Sequence, residues 1–223
     1  MKISIVMPAL NEEAAIADVI DEIPVSKLKK DGHKVEIIVV DGKSVDDTAK
    51  IAKKKGARVI SSERGYGRQY KLGFSKATGD IIVTGDSDMT YPFKDTHKFV
   101  KQLLAEDLDF ITTNRFAGLK DGAMTGMHHF GNSVLTLFTR LFFRVNIKDS
   151  QSGMWIFRKN ILKDLDLTSD GMPMSQEIKI EAFKKVKAKE IPIDYYARVG
   201  DVKLSTFKDG FRNLFFFFGK RIR

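Results

Sequence analysis

Short runs of apolar, β-branched residues alternate with stretches of helical periodicity through the first half of the chain. The run 35–40 is almost continuously apolar, which is typical of a parallel strand buried on both faces. Pro24, Gly56 and Gly79 stand at or just beyond the ends of helical stretches. The predicted strands are 3–7, 35–40, 58–61, 81–84 and 109–113, and the predicted helices are 12–23, 46–55, 68–76 and 96–106. This order predicts an α/β fold with a doubly wound, mostly parallel sheet and right-handed crossovers.

The second half carries longer helical patterns and fewer strands. A loop is predicted at 118–126, helices at 130–145 and 175–187, and short strands at 154–157 and 189–193, the second of them closed by Pro192. The last stretch places aromatic residues at helical spacing and ends in basic residues. We therefore predict one domain at 1–205, with a first half at 1–113 and a second half at 114–205, followed by a basic, aromatic, amphipathic segment at 206–223.

Composition narrows the class of protein. The chain has 223 residues, of which 43% are hydrophobic and 30% charged, which suits a domain with a substantial core that is not embedded in a membrane. It contains no cysteine, which excludes disulfides and thiolate metal sites and favours a cytoplasmic location. The first residues do not predict a signal peptide, and no run reaches the ~20 apolar residues of a membrane span.

The net charge of +9 is unevenly distributed, with a basic excess from 198 to 223. A basic end that is rich in phenylalanine fits nucleic acid, an anionic membrane or phosphorylated substrates. The alternative is a solvated charged end with no binding role. The stretch lacks the aromatic platform of an RNA reader, so nucleic acid is not expected as a partner.

Two carboxylates, one residue apart, follow the predicted strand 81–84. Asp86 and Asp88 flank Ser87 on the loop that this strand enters. Hard divalent cations prefer oxygen ligands, and Mg²⁺ or Mn²⁺ is commonly shared between one or two carboxylates and substrate phosphates. The motif predicts such a metal site, with an ordinary acidic turn as the alternative interpretation.

Other polar residues fall at the carboxyl ends of predicted strands, where doubly wound folds bind their ligands. Asp41 follows the run 35–40 and suits a ribose hydroxyl or a base edge. The alternative there is a capping turn formed by Ser44 or Asp46. Asn11 is predicted to cap the first helix, with glutamates in its first turn.

Glycines and basic residues offer sites for anions. Gly65 and Gly67 open a predicted helix, and Gly67 is a candidate for contact with the nucleotide, although two glycines alone are a weak signal. The pair His128 and His129 lacks the spacing of a zinc site, and Trp155 is predicted to lie in the core. The loop cations that are candidates for two phosphate groups are Arg115, Arg198 and Lys203.

Six short motifs follow one another along the chain. They are MPALNEE at 7–13, VVDGKSVDDT at 39–48, GDSDMTYP at 85–92, NRF at 114–116, DSQSGM at 149–154 and RVGDVKL at 198–204. Each is weak alone, but in this order they resemble the family-2 inverting glycosyltransferases. The closer resemblance is to the dolichol-phosphate mannose synthase branch, and it runs from residue 3 to about residue 210.

The resemblance implies a GT-A fold, a Rossmann-like sheet that binds a nucleotide sugar. The positions that match the nucleotide and diphosphate site are Pro8, Leu10, Glu12, Asp41, Asp86 and Ser87. Asp86 and Asp88 match the metal site, and Asp88 and Arg115 are the implied catalytic residues. The positions that match the phosphate-binding and acceptor site are Arg115, Gln151, Ser152, Arg198 and Lys203. Thr90 stands where mannose synthases often carry glutamine, which leaves GDP-mannose, UDP-glucose and UDP-N-acetylglucosamine open as donors.

The implied reaction moves a hexose onto a polyprenyl (dolichyl) phosphate in one displacement with inversion. The acceptor phosphate is ionised at neutral pH, so no strong base is required. Because the acceptor is a lipid, we expect a peripheral protein on the cytoplasmic face of the membrane, with a membrane protein as a further partner. The segments 135–143 and 207–218 are candidates for contact with the membrane surface, and packing inside the domain is the alternative for both.

Two other classes of protein stay open. A glycosyltransferase acting on a protein or polysaccharide would need a carboxylate base, for which Asp149 and Glu177 are the candidates. A non-catalytic membrane-associated binding protein is the second alternative, and the intact pair Asp86 and Asp88 disfavours it.

Overall fold

The computed structural model describes residues 1–200; Lys203 and the predicted segment 206–223 lie outside the described residues. The strands are β1 Lys2–Ala9, β2 Lys34–Asp41, β3 Arg58–Ser61, β4 Ile81–Thr84, β5 Phe110–Leu119, β6 Trp155–Arg158 and β7 Ala188–Tyr195. The helices are α1 Ile16–Glu22, α2 Val25–Lys30, α3 Thr48–Lys54, α4 Tyr66–Lys76, α5 Thr96–Ala105, α6 Gly126–Phe143 and α7 Met174–Lys185. Two short 3₁₀ helices lie at Phe93–Asp95 and Lys159–Lys163.

The strands form one sheet in the order β3-β2-β1-β4-β6-β5-β7. Strand β1 pairs in parallel with both β2 and β4, and β2 pairs in parallel with β3. Strand β6 runs antiparallel between β4 and β5, while β7 is parallel to β5. The prediction of an α/β fold with a mostly parallel sheet is therefore confirmed.

Alternate residues of β1 face opposite layers of the core, as the two-residue period of a strand requires. Ile5 and Met7 pack in a cluster with residues of α1 and α5, whereas Val6 packs with residues of α4 and α7. Trp155 is completely buried in the second cluster, which confirms its predicted place in the core. Helices thus cover both faces of the sheet, and its central strands are shielded from water along their length.

Several predicted boundaries were wrong for local reasons. Helix α2 was missed because Pro24 reads as a stop signal, whereas it directly precedes the first residue of this helix. Strand β7 continues through Pro192 and is not closed by it. Proline is tolerated there because β7 is the last strand of the sheet and has one unpaired edge. Strand β5 extends to Leu119 through an irregularity between Asn114 and Gly118, so the predicted loop begins later.

Helix α6 is longer than predicted at its start and shorter at its end. Thr125 caps it by accepting a hydrogen bond from the backbone N–H of His128 at 3.3 Å. Arg144 ends it in the left-handed conformation, with φ of 55°. Within residues 1–200, no helix is both long and apolar enough to cross a membrane.

Candidate active site

The carboxyl ends of the adjacent strands β2, β1 and β4 bring the residues predicted to bind the nucleotide together. Ser87 Oγ donates to the carbonyl of Pro8 over 2.8 Å and joins the loop after β4 to the end of β1. Gln69 Nε2, from α4, donates to the carbonyl of Ala9 at 3.1 Å and to a carbonyl of β2 at 2.8 Å. Sequence reasoning missed Gln69, since a lone polar residue in a predicted helix gives no signal of its buried environment. Leu10 is half-buried just beyond β1.

The predicted helix cap at Asn11 was wrong. Helix α1 begins only at Ile16, and Asn11 takes a positive φ of 53° in the turn before it. Asn11 Oδ1 accepts from the backbone N–H of Val45 at 2.9 Å, and its own N–H donates to Ser44 Oγ at 2.9 Å. The backbone N–H of Glu12 donates to Thr48 Oγ1 at 2.7 Å. These contacts tie the loop after β1 to the loop after β2.

Asp41 lies buried at the end of β2, where both interpretations from the sequence stay open. Its Oδ2 accepts from the backbone N–H of Ser44 at 3.2 Å, as in a turn. Asp46 Oδ1 accepts from the backbone N–H of Thr48, the first residue of α3, at 3.0 Å, while Asp47, which directly precedes this helix, makes no side-chain capping bond. Asp41 therefore has a structural contact, and its contact with a nucleotide stays a prediction.

The carboxyl group of Asp86 has a pKa far above its ordinary value. Burial and the nearby charge of Asp88 raise the pKa of Asp86 to about 7, while the Tyr66 hydroxyl and the charges of Arg115 and Arg198 oppose the rise. Tyr66 Oη donates to Asp86 Oδ1 at 3.2 Å. Two carboxylates this close repel each other, so the site favours a proton or a cation.

Asp88 is held in a fixed orientation by the residues that follow it. Its Oδ1 accepts from the backbone N–H of Thr90 at 3.1 Å and from Thr90 Oγ1 at 2.6 Å. Met89, between them, has a φ of 68°, which lets the chain turn back over the carboxylate. Thr90, the residue that departs from the mannose synthase pattern, is thus a structural partner of Asp88.

Arg198 bridges two of the predicted site residues. Its Nη1 donates to Asp88 Oδ2 at 2.6 Å, and its Nη2 donates to Glu12 Oε1. The backbone N–H of Val199 also donates to the Asp88 carbonyl at 3.0 Å. The structure therefore brings Arg198 together with Glu12 and Asp88, the carboxylates predicted for the nucleotide and the metal, which the sequence order alone could not show.

The prediction of Arg115 as a loop cation was wrong, because Arg115 lies within β5, which extends further than predicted, and it is buried. Its Nε and Nη2 donate to Asp149 Oδ2 and Oδ1 at 2.7 and 2.9 Å, in a fork. The guanidinium also lies 5.2 Å from the ring centroid of Tyr195. Burial alone would raise the pKa of Asp149, but the Arg115 charge and its hydrogen bonds lower it to about 2. Asp149 is consequently a fixed anion and not a proton acceptor near neutrality.

Glu177, the other candidate base, is also committed to the fold. It is fully buried in α7, and its Oε2 accepts from the backbone N–H groups of Thr168 and Ser169 at 3.1 and 2.8 Å. A carboxylate with these partners holds the loop before α7. The structure thus opposes the interpretation of either Asp149 or Glu177 as the base for a neutral acceptor.

The segment 150–153 leads from Asp149, which pairs with Arg115, to Gly153, which lies beside Asp86. Gln151 is partly buried, and its Nε2 donates to Gln176 Oε1 at 3.0 Å. Ser152 is fully buried, with its Oγ 2.6 Å from Thr113 Oγ1, and its contact with the acceptor stays a prediction.

Gly153 is required by its neighbours. A Cβ at this position would lie 2.2 Å from Tyr66 Oη and 3.4 Å from Asp86 Oδ1. Its backbone N–H donates to Tyr91 Oη at 2.6 Å. Sequence reasoning missed both tyrosines, and only Tyr66, between Gly65 and Gly67, gave a weak signal.

Gly67 contacts the protein itself. A Cβ there would lie 2.3 Å from the Ser169 carbonyl and 2.9 Å from Met174 Cβ, because the loop before α7 packs across the start of α4. The backbone N–H of Arg68 donates to the Asp170 carbonyl at 3.1 Å. This geometry gives Gly67 a packing role, and its contact with a nucleotide stays a prediction.

An α/β sheet with Asp86 and Asp88 beyond β4, and with Arg115 and Arg198 near them, is the arrangement that the resemblance to GT-A enzymes implies. The family model described as glycosyl transferase family 2 matches residues 4–166. The chain therefore belongs to glycosyl transferase family 2.

Curated relatives agree with this assignment. The low-salt glycan biosynthesis hexosyltransferase Agl6 of Haloferax volcanii is 36% identical over 218 residues, which are 96% of this chain and 52% of the relative. The chain thus spans about half the length of Agl6. A dolichyl-phosphate hexose transferase of the same organism is 32% identical over 212 residues, covering 93% of this chain and 89% of the relative.

Solved structures confirm the predicted GT-A fold. Glucosyl-3-phosphoglycerate synthase from Mycobacterium tuberculosis superposes with a TM-score of 0.77 at 23% identity, over 98% of this chain and 79% of that protein. Another structure of the same enzyme, also with a TM-score of 0.77, is a complex with Mn²⁺, uridine-diphosphate-glucose and phosphoglyceric acid.

Proposed function

We propose that this protein transfers a hexose, with inversion, from a nucleoside-diphosphate sugar to a polyprenyl (dolichyl) phosphate at a membrane surface. The observation that carries the proposal is the meeting of the carboxylates Asp86 and Asp88 with the arginines Arg115 and Arg198, which suits a reaction between two anionic substrates. The candidate donors are GDP-mannose, UDP-glucose and UDP-N-acetylglucosamine. The relative named as a dolichyl-phosphate hexose transferase supports the proposed acceptor.

The donor half of the site fits a divalent metal, Mg²⁺ or Mn²⁺. The raised pKa of Asp86 reflects burial and repulsion by Asp88, which a bound cation would relieve. Residues 1–200 contain no cluster of three or more acidic, histidine or cysteine side chains that could hold a metal. We therefore infer that Asp86 and Asp88 would hold it together with substrate and water oxygens. The metal would offset the charge of the departing nucleoside diphosphate.

The acceptor half works by positioning and charge. An acceptor phosphate is already an anion at neutral pH, so the site has to hold it near the donor and offset their repulsion. Arg115 and Arg198 supply that positive charge, and Lys203 is a further candidate that lies outside the described residues. The fixed bonding of Asp149 and Glu177 disfavours the alternative of a protein or polysaccharide acceptor, which would need a base.

The outer face of α6 supports contact with a membrane surface. Met127, Phe130, Leu137 and Leu141 lie at helical spacing and are 66%, 70%, 53% and 65% exposed. Arg140 and Arg144 are exposed at the end of this helix. Apolar side chains beside arginines suit the interface of an anionic bilayer. The inner face packs in the protein, where Phe143 is buried, so contact with a membrane is proposed for the outer face alone. We propose a peripheral location on the cytoplasmic face, with a membrane protein as a further partner.

The test is a transfer assay with the purified protein. It uses Mn²⁺ or Mg²⁺, a short-chain polyprenyl phosphate and a panel of radiolabelled GDP- and UDP-sugars, and it counts label in the organic phase. Asp88→Ala is expected to abolish transfer, whereas the control Asp31→Ala, at the exposed end of α2, is expected to retain it.

Each outcome of this assay has a distinct meaning. Label in the lipid from one donor, lost with a chelator, supports the proposal and identifies the sugar. Binding or hydrolysis of a donor without labelled lipid would contradict the acceptor and leave the donor site standing. Failure of every donor to bind in the presence of metal would contradict the donor site as well.

A further inference from the structure

Lys179 is a fully buried lysine that the donor site does not include. It lies in α7, and its Nζ donates to the backbone carbonyl of Asp149 at 2.8 Å. Burying an ammonium group is costly unless opposite charges and hydrogen bonds compensate it. A methionine or leucine would fill the same space at lower cost, so the position of this charge calls for an explanation.

Asp149 is bonded through all of its polar groups. Its carboxylate accepts from Arg115 Nε and Nη2 and from the backbone N–H of Gln151, at 2.7, 2.9 and 3.0 Å. Its backbone N–H donates to Glu190 Oε1 at 3.0 Å. Lys179 completes this set at the carbonyl. Asp149 therefore fixes both the Arg115 guanidinium and the start of the segment that leads to Gly153.

Charged groups face Lys179 from three elements. They are Arg115 on β5, Asp149 on the loop after α6 and Glu190 on β7. With Lys179 protonated, two cations and two carboxylates balance. With Lys179 neutral, the group carries a net negative charge that would repel an anionic acceptor. Burial lowers the pKa of Lys179 to about 7, while the charge of Asp149 opposes the fall.

We infer that Lys179 is a positioning residue for the acceptor phosphate. Through the Asp149 carbonyl it holds the Arg115 fork in place, and through its charge it prevents a net negative charge around Arg115 that would repel an anion. The inference rests on the proposed function, because it requires a phosphate-bearing acceptor. Lys179 itself touches neither substrate in this account and acts through Asp149 and Arg115.

The test compares Lys179→Met with the control Lys184→Met, an exposed lysine of the same helix. Acceptor and donor KM values are measured across the pH range with a short-chain polyprenyl phosphate. Lys179→Met is expected to raise the acceptor KM roughly tenfold below neutral pH, which is the size of effect found between residues of one hydrogen-bond network. The donor KM is expected to stay unchanged. The ratio of variant to wild-type acceptor KM should fall as pH rises and wild-type Lys179 loses its charge, and the excess that remains reports the hydrogen bond to the Asp149 carbonyl, which the neutral amine keeps. The ionisation of the acceptor phosphate affects both KM values equally, so it cancels in this ratio.

A ratio of one at every pH, with wild-type transfer intact, would overturn the inference and leave the proposed function standing. Failure of the wild type to use any polyprenyl phosphate would overturn the proposed function instead, and the inference with it. If Lys179→Met does not fold, the same KM values are measured with Lys179→Gln, because the glutamine amide can donate a hydrogen bond but carries no charge. In the wild type, the Nε–H resonance of Arg115 is expected to shift as pH passes neutrality; a constant resonance would also overturn the inference.

Discussion

Replacing Arg198 by alanine is expected to tighten the binding of a divalent metal to the ligand-free protein. Arg198 donates to Asp88 Oδ2 at 2.6 Å and also to Glu12, so it occupies a carboxylate that we assign to the metal. A cation that binds Asp88 has to displace or share this contact. Removing the arginine removes the competitor and leaves two buried carboxylates, of Glu12 and Asp88, without its charge.

The magnitude follows from the burial of this contact. Hydrogen bonds to charged groups contribute about 1.5–3 kcal/mol each. Arg198 is 23% exposed, while the side chains of Glu12 and Asp88 are 8% and 6% exposed, so water screens the contact in part. We take the lower value, about 1.5 kcal/mol, which corresponds to a roughly tenfold lower metal dissociation constant.

The assay is titration calorimetry with Mn²⁺ in the absence of donor, on the wild type, Arg198→Ala and the control Arg58→Ala, an exposed arginine on β3. The metal-free Arg198→Ala protein should also melt at a lower temperature and recover when Mn²⁺ is added. The same variant should bind the polyprenyl phosphate more weakly, because it lacks a phosphate-binding cation. Unchanged or weaker Mn²⁺ binding by Arg198→Ala would refute the reasoning.

Three further predictions concern the groups around Asp86. Burial raises the pKa of Asp86 from 3.8 to about 7, so the metal-free fold binds a proton more tightly than the unfolded chain, and its stability should fall as pH rises across that interval. Melting curves of Asp86→Asn should lose this part of the pH dependence; an unaltered dependence would contradict it. Gly153→Ala places a Cβ 2.2 Å from Tyr66 Oη and should lower kcat at least tenfold, with a stability loss of about 1–3 kcal/mol in denaturant titrations. Arg115→Lys removes the fork on the buried carboxylate of Asp149 and should destabilise the fold by about 3 kcal/mol; full retention of stability would show that the fork is dispensable.

Most of the sheet could be predicted from the sequence because its central strands are continuous apolar runs between turn signals. The strands at 58–61 and 81–84 were predicted at their observed bounds. Errors arose where tertiary contacts override local signals. Pro24 and Pro192 were interpreted as stops, yet one precedes a helix and the other lies in an edge strand. Asn11 was interpreted as a helix cap, but its side chain bonds across to the loop after β2.

The site was predicted less completely, for a physical reason. Local sequence indicates which residues end a strand, and it thus gave Asp41, Asp86 and Asp88 as candidates. It does not show which distant groups meet, so the bridge from Arg198 and the fork from Arg115 to Asp149 appear only in the structure. The resemblance named these arginines without revealing their partners.

The central claim is that the acceptor phosphate displaces the nucleoside diphosphate directly, held by arginines in place of a base. The most direct measurement determines the anomeric configuration of the lipid product by NMR, after turnover of the α-linked donor found in the transfer assay. The account predicts a β-linked hexosyl polyprenyl phosphate as the product. A product with retained α configuration, or free sugar formed by hydrolysis in place of a lipid product, would contradict it.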